Sequence, residues 1–404
     1  MKNRFLISFI TVIMFLSSFS SVSANSLPTY WEGTDSSGAV ILEEDCPVEL
    51  VKEELLFAIG EDDDSVTVKY TLHNPSDHQE TVHLAFPIRT LNENNREKEE
   101  ETTLLSDGIP LDHHLRYTPD EDPFTIDSAL VSLTGREEDS FYRRDLPVTV
   151  YRCFWEEDTG SVKTVIDNDP SFCFLIGGLR SLTHTKDRTE IEKEISDGFL
   201  EFAVLGDTDY VPEWSQVPSS VKTETMRFED FVQRTDIVPG IEEEDRFRIV
   251  SQTYKKMMNG NVIDLPGLYD MTWLPVREWA EYAITLEPRS SLEHTIVTGL
   301  YPTVDEKKNT RSYVYLLSPA SLWASYGSLG ISIETDLELS DASLTGFEKT
   351  EKSYQAHFDF LPEEELLFTL KDKREENHLL FGIGASLIVI FLAWMMWKGG
   401  KSKR

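Results

Sequence analysis

The clearest strand pattern in the sequence is Ser65-Val66-Thr67-Val68-Lys69-Tyr70-Thr71-Leu72, in which apolar or β-branched residues alternate with polar ones. A period of two predicts a β-strand with one face buried and the other face in water. The turn-forming residues Asn74-Pro75-Ser76-Asp77 follow, and a second strand-like run extends from Thr81 to Pro87. We therefore predict an antiparallel pair of strands joined by a loop.

The strand pattern recurs on both sides of a helical middle segment. We assign residues 25–185 to an N-terminal β-rich domain, 186–282 to the helical segment and 283–371 to a membrane-proximal domain. The clearest helix covers 241–258, because acidic residues crowd its start and two lysines lie near its end, as the helix dipole favours. Weaker helical patterns cover 189–202, 227–234 and 276–282.

In the last domain, turn signals separate five runs of ordinary strand length, a spacing typical of a β-sandwich. These runs are 291–297, 312–317, 329–335, 354–360 and 366–370. The predicted fold class is mainly β with a helical middle segment (α+β). It consists of a β-sandwich-like ectodomain and one C-terminal transmembrane helix.

Residues 1–24 have the features of a secretory signal peptide. Lys2 and Arg4 precede an apolar run, and Val22-Ser23-Ala24 supplies small residues at the cleavage position. An uncleaved N-terminal anchor is the alternative. The sequence contains no N-glycosylation sequon, since Asn74 is followed by proline, and this favours a bacterial origin.

A second apolar run of uncharged residues extends from Leu379 to Trp397. As a helix it would span roughly 29 Å, which matches the hydrocarbon core of a bilayer. Trp394 and Trp397 lie where an aromatic belt is expected, and Lys398 opens a basic tail over 398–404. With 372–378 as a linker, we predict a single-pass cell-membrane protein with an extracellular ectodomain and a cytoplasmic C-terminus.

Gly382 and Ser386 lie four residues apart within this predicted helix. Small residues at that spacing allow two membrane helices to approach closely. A homodimer formed through this face is therefore one alternative, and a monomer is the other.

The charge balance excludes one class of partner. The 404 residues contain 38 lysines and arginines against 72 aspartates and glutamates, a formal net charge of −34. Nucleic acids and anionic membrane surfaces are repelled by such a chain. The expected partners are the bilayer, through the C-terminal helix, and an envelope protein or polysaccharide of unknown identity.

Two groups of residues are candidates for covalent or metal chemistry. Cys153 and Cys173 either form an extracellular disulfide, worth roughly 3 kcal/mol, or remain free. Glu61-Asp62-Asp63-Asp64 is either a weak Ca²⁺ site or a solvated charge run, since it lacks the alternation of an EF-hand loop. His113 and His114 are adjacent, and on a strand they would point to opposite faces, so a shared metal is not expected.

No catalytic or cofactor-binding residue is identified. The sequence contains no Gly-x-Ser-x-Gly, no His-Glu-x-x-His and no glycine-rich phosphate loop. One Ser-x-x-Lys pattern, Ser219 to Lys222, comes without the other elements of a penicillin-binding site. We favour a role without catalysis.

Four short motifs resemble an uncharacterised bacterial family of secreted, single-pass, membrane-anchored surface proteins. They are Asp45–Phe57, Tyr70–Asn74, Leu84–Pro87 and Tyr313–Trp323, and the resemblance covers about a third of the chain. The resemblance implies a mainly β ectodomain and brings no catalytic residue with it.

Three hypotheses follow. The first is a membrane-anchored surface protein with a binding or structural role in the cell envelope. The second is an extracellular hydrolase of wall polysaccharide or peptide. The third is a cation-dependent adhesion module.

Overall fold

The structure is a computed structural model that describes residues 36–372, except 44, 61–63, 92–101, 121–125, 137–141, 157–159, 168–171, 196–197, 207–211 and 258–261. The helices are α1 (Ile126–Thr134), α2 (Phe228–Val232), α3 (Glu243–Met257) and a 3-10 helix at Ser318–Leu322. The strands are β1 (Ser36–Ser37), β2 (Val40–Ile41), β3 (Glu49–Ile59), β4 (Asp64–His73), β5 (Glu80–Leu91), β6 (Thr103–Ser106), β7 (Ile109–Pro110), β8 (His114–Pro119), β9 (Pro147–Phe154), β10 (Ser161–Asp167), β11 (Cys173–Gly177), β12 (Ser181–His184), β13 (Arg188–Glu194), β14 (Phe199–Leu205), β15 (Ser220–Arg227), β16 (Val262–Leu265), β17 (Val276–Leu286), β18 (Ser291–Gly299), β19 (Thr303–Asp305), β20 (Thr310–Leu316), β21 (Tyr326–Glu334), β22 (Glu338–Ala342), β23 (Glu348–Lys349), β24 (Ser353–Phe358) and β25 (Leu366–Lys371).

Strands from both ends of the chain build a β-sandwich. An eight-stranded sheet has the order β23-β24-β21-β3-β4-β18-β6-β7. Two smaller sheets share a core with it: β1-β20-β25-β22, with β19 paired to β20, and β2-β5-β17-β8. The sandwich-like, mainly β character expected from the sequence is therefore confirmed.

Aromatic side chains from the facing sheets fill the sandwich core. Phe57 of the eight-stranded sheet contacts Phe368 and Tyr315 of the opposite sheet, with ring centroids 5.0 and 5.8 Å apart. Both contacts have the edge-to-face geometry that aromatic pairs prefer. All three side chains are buried, so this contact ties the N-terminal strands to the C-terminal strands.

The pairing of the strands differs from the sequence-based expectation in two ways. First, β4 lies between β3 and β18, whereas β5 lies between β2 and β17, so the predicted β4–β5 pair is wrong. Second, β3 pairs in parallel with β21 and β4 pairs with β18. Strands assigned to separate domains at 25–185 and 283–371 thus share the same sheets, because long-range pairing is not encoded in local alternation.

An α/β unit is inserted between β8 and β17, which are neighbours in one sheet. Pro119, at the end of β8, is paired with Val276, at the start of β17. Between them lies a mixed sheet of order β15-β9-β14-β11-β16 and a three-stranded sheet of order β10-β13-β12. The chain thus leaves the sandwich and returns to it at the same place.

The two faces of the inserted mixed sheet bury different partners. One face packs against α2 and α3, through Phe228, Phe247 and Tyr254. The other face packs against the three-stranded sheet, where Val162 and Ile191 join a separate cluster. The inserted unit therefore has three layers: helices, mixed sheet and small sheet.

The helical middle segment is only partly helical. Helix α3 confirms the predicted helix at 241–258, and α2 lies within the predicted 227–234. The helices predicted at 189–202 and 276–282 are wrong, because those residues form β13, β14 and β17. The first five residues of β17, 276–280, are all buried. Burial on both faces replaces the alternation of a half-exposed strand, and this explains the missing period of two there.

Charged side chains join the inserted unit to the sandwich. Arg116 of β8 donates from Nε to Asp245 of α3 at 2.9 Å and also forms an ion pair with Glu281 of β17. Within the sandwich itself, Arg89 of β5 is paired with Glu278 of β17 at 2.7 Å between Nε and Oε2. The Asp245 carboxylate is 1% exposed, so this contact lies inside the protein and not on its surface.

Gly327 lies where β21 approaches the backbone of β3 most closely. A Cβ atom added there would be 2.0 Å from the carbonyl oxygen of Val51, a distance that only backbone movement can relieve. We expect Gly327→Ala to lower the free energy of unfolding by about 1–3 kcal/mol, as overpacking does. Gly330→Ala is the control, since its nearest contact would be Glu54 Cγ at 3.7 Å; equal losses measured by urea denaturation would contradict the prediction.

The predicted signal peptide at 1–24 and the predicted transmembrane helix at 379–397, with Leu379, Gly382, Ser386, Trp394, Trp397 and Lys398, lie outside the described residues. Within the part of the chain that the structure describes, no helix has the length and apolar character needed to cross a bilayer.

Candidate functional site

The outer face of the eight-stranded sheet carries a groove of about 690 Å³. Its position follows from strand alternation. Leu55, Val68 and Ile331 point into the sandwich core, so their neighbours along each strand point outward. The groove is lined by polar side chains from β3, β4, β21, β23 and β24.

The strand register aligns these side chains in a row across the sheet. Lys69 is paired with Glu54, Glu54 with Gly330, and Gly330 with His357. Gly330 has no side chain, so the row has a gap between a carboxylate and an imidazole. A Cβ atom at this glycine would meet nothing closer than 3.7 Å, and the space above it is open.

A second row runs beside the first. Thr67 is paired with Leu56, Leu56 with Ser332, Ser332 with Gln355 and Gln355 with Glu348. Leu56 provides the apolar part of this row. The hydroxyl and amide groups provide donors and acceptors for hydrogen bonds.

The groove therefore offers both signs of charge to a ligand. Glu54 and Glu348 are carboxylates, and Lys69 is an amine. The Glu54 side chain is half exposed and forms an ion pair of 2.8 Å with Lys52. His357 is bonded to Asp359, at 3.2 Å between Nε2 and Oδ1. Because these contacts are solvated, a ligand can replace them at modest cost.

The acidic run predicted as a weak Ca²⁺ site is described only at Asp64. This carboxylate is bonded to the Tyr313 hydroxyl at 2.6 Å and to the backbone N–H of Gly60 at 3.1 Å, and Arg311 lies 3.5 Å away. Glu61, Asp62 and Asp63 lie outside the described residues. Over the described ranges, no group of three or more histidine, cysteine or acidic side chains is arranged to hold a metal ion.

The structure places Cys153 and Cys173 too far apart for the disulfide considered above. Strand β14 separates their strands, and the two thiols belong to cores on opposite faces of the sheet. Both are free. Burial raises the pKa of Cys153 to about 11 and that of Cys173 to about 12, so neither is a ready nucleophile.

The remaining sequence candidates do not come together either. His114 begins β8 and His113 directly precedes it, and both side chains are exposed. The Ser219 hydroxyl donates to the carbonyl oxygen of Phe154 at 2.9 Å. The Lys222 ammonium lies 5.2 Å from the centre of the Phe154 ring, and this arrangement suits packing.

A buried polar cluster lies on the other face of the same sheet, inside the sandwich, and the sequence reasoning missed it. Glu53 is 1% exposed and accepts from the Tyr326 hydroxyl at 3.3 Å. Burial raises the pKa of Glu53 to about 7, and the bond from Tyr326 opposes this effect. The sequence did indicate the burial of Glu53. On a strand, alternate residues point to the same face, so Glu53 points inward with Leu55 and Phe57.

His294 belongs to the same core. Its Nδ1 lies 2.9 Å from the carbonyl oxygen of Leu105, and its Nε2 lies 2.8 Å from the Tyr282 hydroxyl. Since a carbonyl only accepts, Nδ1 carries the proton, and the neutral ring accepts from Tyr282 at Nε2. Burial lowers the pKa of His294 to about 4, so this histidine is a neutral structural group near neutral pH.

Comparisons with known proteins provide little beyond this geometry. No family model matches the chain, and no curated protein matches it. One solved structure, of a candidate nutrient binding protein from Legionella pneumophila, aligns with a TM-score of 0.39 at 10% identity, covering 84% of this chain and 71% of that chain. A likeness at this TM-score supports no conclusion about fold or function.

Proposed function

We propose that this chain is a membrane-anchored binding protein of the bacterial cell envelope. The signal-peptide features of residues 1–24 and the apolar run at 379–397 support export and anchoring. The outer groove of the eight-stranded sheet is the ligand site. Its ligand is a polar oligomer that carries both amino and carboxylate groups, as cell-wall peptides do.

The observation that carries this proposal is the row Lys69–Glu54–Gly330–His357. An amine and a carboxylate are neighbours on two strands, and the glycine beside them leaves room for a ligand chain. The Lys69 ammonium suits a ligand carboxylate, and Glu54 and Glu348 suit ligand amines. The hydroxyl and amide groups of the second row suit the peptide bonds between them.

Filling the gap in this row tests the proposal. In the full-length protein in detergent micelles, we expect purified wall peptides to bind and Gly330→Trp to weaken that binding at least about tenfold, roughly 1.4 kcal/mol. The indole would occupy the space that the ligand needs. Isothermal titration calorimetry measures the change.

Thr71→Trp is the matched control, because Thr71 lies on the same outer face but does not line the groove. Unchanged peptide affinity in Gly330→Trp would contradict the proposal. Binding of neutral glycan chains but not of peptides would also contradict it. Turnover of either fragment would instead favour the hydrolase hypothesis.

A further inference from the structure

Strand β15 forms an open edge of the inserted mixed sheet. One side of β15 is paired with β9 along the whole strand. Among the described residues, no strand is paired with its other side. Residues 220–225 are exposed without interruption. An exposed edge of this length presents unpaired backbone groups that can accept another strand.

We propose that two copies of this chain associate by antiparallel pairing of β15 with β15. The two mixed sheets then form one continuous sheet of ten strands. The copies are related by a two-fold axis, as in most homodimers. In this pairing the axis is perpendicular to the sheet. Under that symmetry, residues opposite each other on the two strands point to the same face of the sheet. The helices of both copies therefore lie on the same side of it.

The charges of β15 select one register. With Thr223 on the two-fold axis, Lys222 of each copy lies opposite Glu224 of the other copy, which gives two complementary pairs. If Lys222 lay on the axis, two lysines would face each other, and with Glu224 on the axis two glutamates would do so. Opposite charges across strands stabilise a pair, and like charges destabilise it.

The surroundings of these two side chains fit this register. Lys222 and Glu224 are both on the face of the sheet that carries the helices, since they pair with Arg152 and Val150 of β9. Arg234 donates from Nη1 to Glu224 at 3.0 Å. In the dimer the Glu224 carboxylate would lie between Arg234 of its own copy and Lys222 of the other copy, and it can accept from both.

The same register joins the other residues of the strand without conflict. Val221, which is 45% exposed, lies opposite Thr225, and Ser220 lies opposite Met226. None of these pairs places a charge against an apolar side chain. A lysine on an edge strand discourages pairing with arbitrary strands. The charge of Lys222 is compensated only if the incoming strand places a carboxylate opposite it, and Glu224 of a second copy does so.

Site-specific crosslinking of the full-length protein in native membranes tests the pairing. We expect Thr223→Cys to form an intermolecular disulfide under mild oxidation, because residues opposite each other on the axis have Cα atoms about 4.5–5.5 Å apart. Thr225→Cys is the matched control. Its two copies would lie four residues out of register, about 13 Å apart, which exceeds the reach of a disulfide. The unsubstituted chain gives the background from its own three cysteines.

A charge exchange tests the register independently. Lys222→Glu in the Thr223→Cys background is expected to lower the crosslinking rate at least tenfold, and adding Glu224→Lys is expected to restore it. Equal crosslinking at 223 and 225 would overturn the proposal, since it would indicate random collision. Crosslinking at 223 only to a different protein, or a rate that Lys222→Glu leaves unchanged, would also overturn it.

Discussion

Asp245→Ala is expected to lower the free energy of unfolding by about 3–5 kcal/mol, the usual result of breaking a buried ion pair by removing one partner. The carboxylate accepts from Arg116 Nε and from the backbone N–H of Tyr117, both at 2.9 Å. Its removal leaves the N–H of Tyr117 without that acceptor. It also leaves the Arg116 guanidinium, 17% exposed, with only Glu281 as a charged partner in this cluster.

Asp77→Ala provides the matched control for this measurement. Asp77 is also paired with an arginine, Arg289, at 2.6 Å, but the two side chains are 79% and 68% exposed. Exposed pairs contribute at most about 1 kcal/mol. Urea denaturation of both variants gives the comparison. Similar losses for the two would mean that the Arg116 cluster does not hold the inserted unit to the sandwich.

Glu53→Gln is expected to make the protein more stable at alkaline pH and to leave it nearly unchanged at pH 5. Burial raises the pKa of Glu53 from its ordinary value of 4.5 to about 7. Between these pH values the folded chain holds a proton that the unfolded chain releases, so wild-type stability falls as the pH rises. Because one pKa unit is worth about 1.4 kcal/mol, the loss reaches about 3 kcal/mol above pH 7.

The measurement is the difference in unfolding free energy between Glu53→Gln and wild type at pH 5 and at pH 8.5. The wild-type value is subtracted because His294 also makes stability depend on pH, in the opposite direction. Its pKa is lowered to about 4, so its stabilising contribution is complete above about pH 6.5 and is lost as the pH falls. Glu54→Gln, at the adjacent exposed position, is the control. A difference that does not change with pH would mean that Glu53 is not protonated in the folded protein.

The sequence alone identified seven of the 25 described strands, because burial of one face imposes a period of two: β4, β5, β18, β20, β21, β24 and β25. It also identified α3, where the charge order and the apolar face agree. It failed where both faces of a strand are buried, as over 276–280 of β17, and where charged residues alternate with threonine and isoleucine, as in β13. In both places, pairing with neighbouring strands outweighed the local helical preference.

The candidate site was beyond the reach of sequence reasoning for a different reason. Lys69, Glu54, Gly330 and His357 come from four strands, and the parallel pairing of β3 with β21 brings the two halves of the row together. No local pattern predicts that pairing, which joins segments separated by most of the chain. The sequence did contain the alternation of inward and outward residues along each strand. This alternation assigns Glu54 to the outer face and Glu53 to the core.

The pairing of Pro119 with Val276 imposes an order on folding. The strands of the mixed sheet and the two helices that pack on it all lie before residue 276, so they can pack together as soon as that residue has emerged. The sandwich must wait, since β3 needs β21 and β1 needs β20. During synthesis or export, β1 and the edge of β3 that faces away from β4 therefore lack β20 and β21 until the last quarter of the chain arrives. They are exposed to aggregation for that interval. The strong excess of acidic residues, which keeps unfolded chains apart, protects the protein when it is most vulnerable.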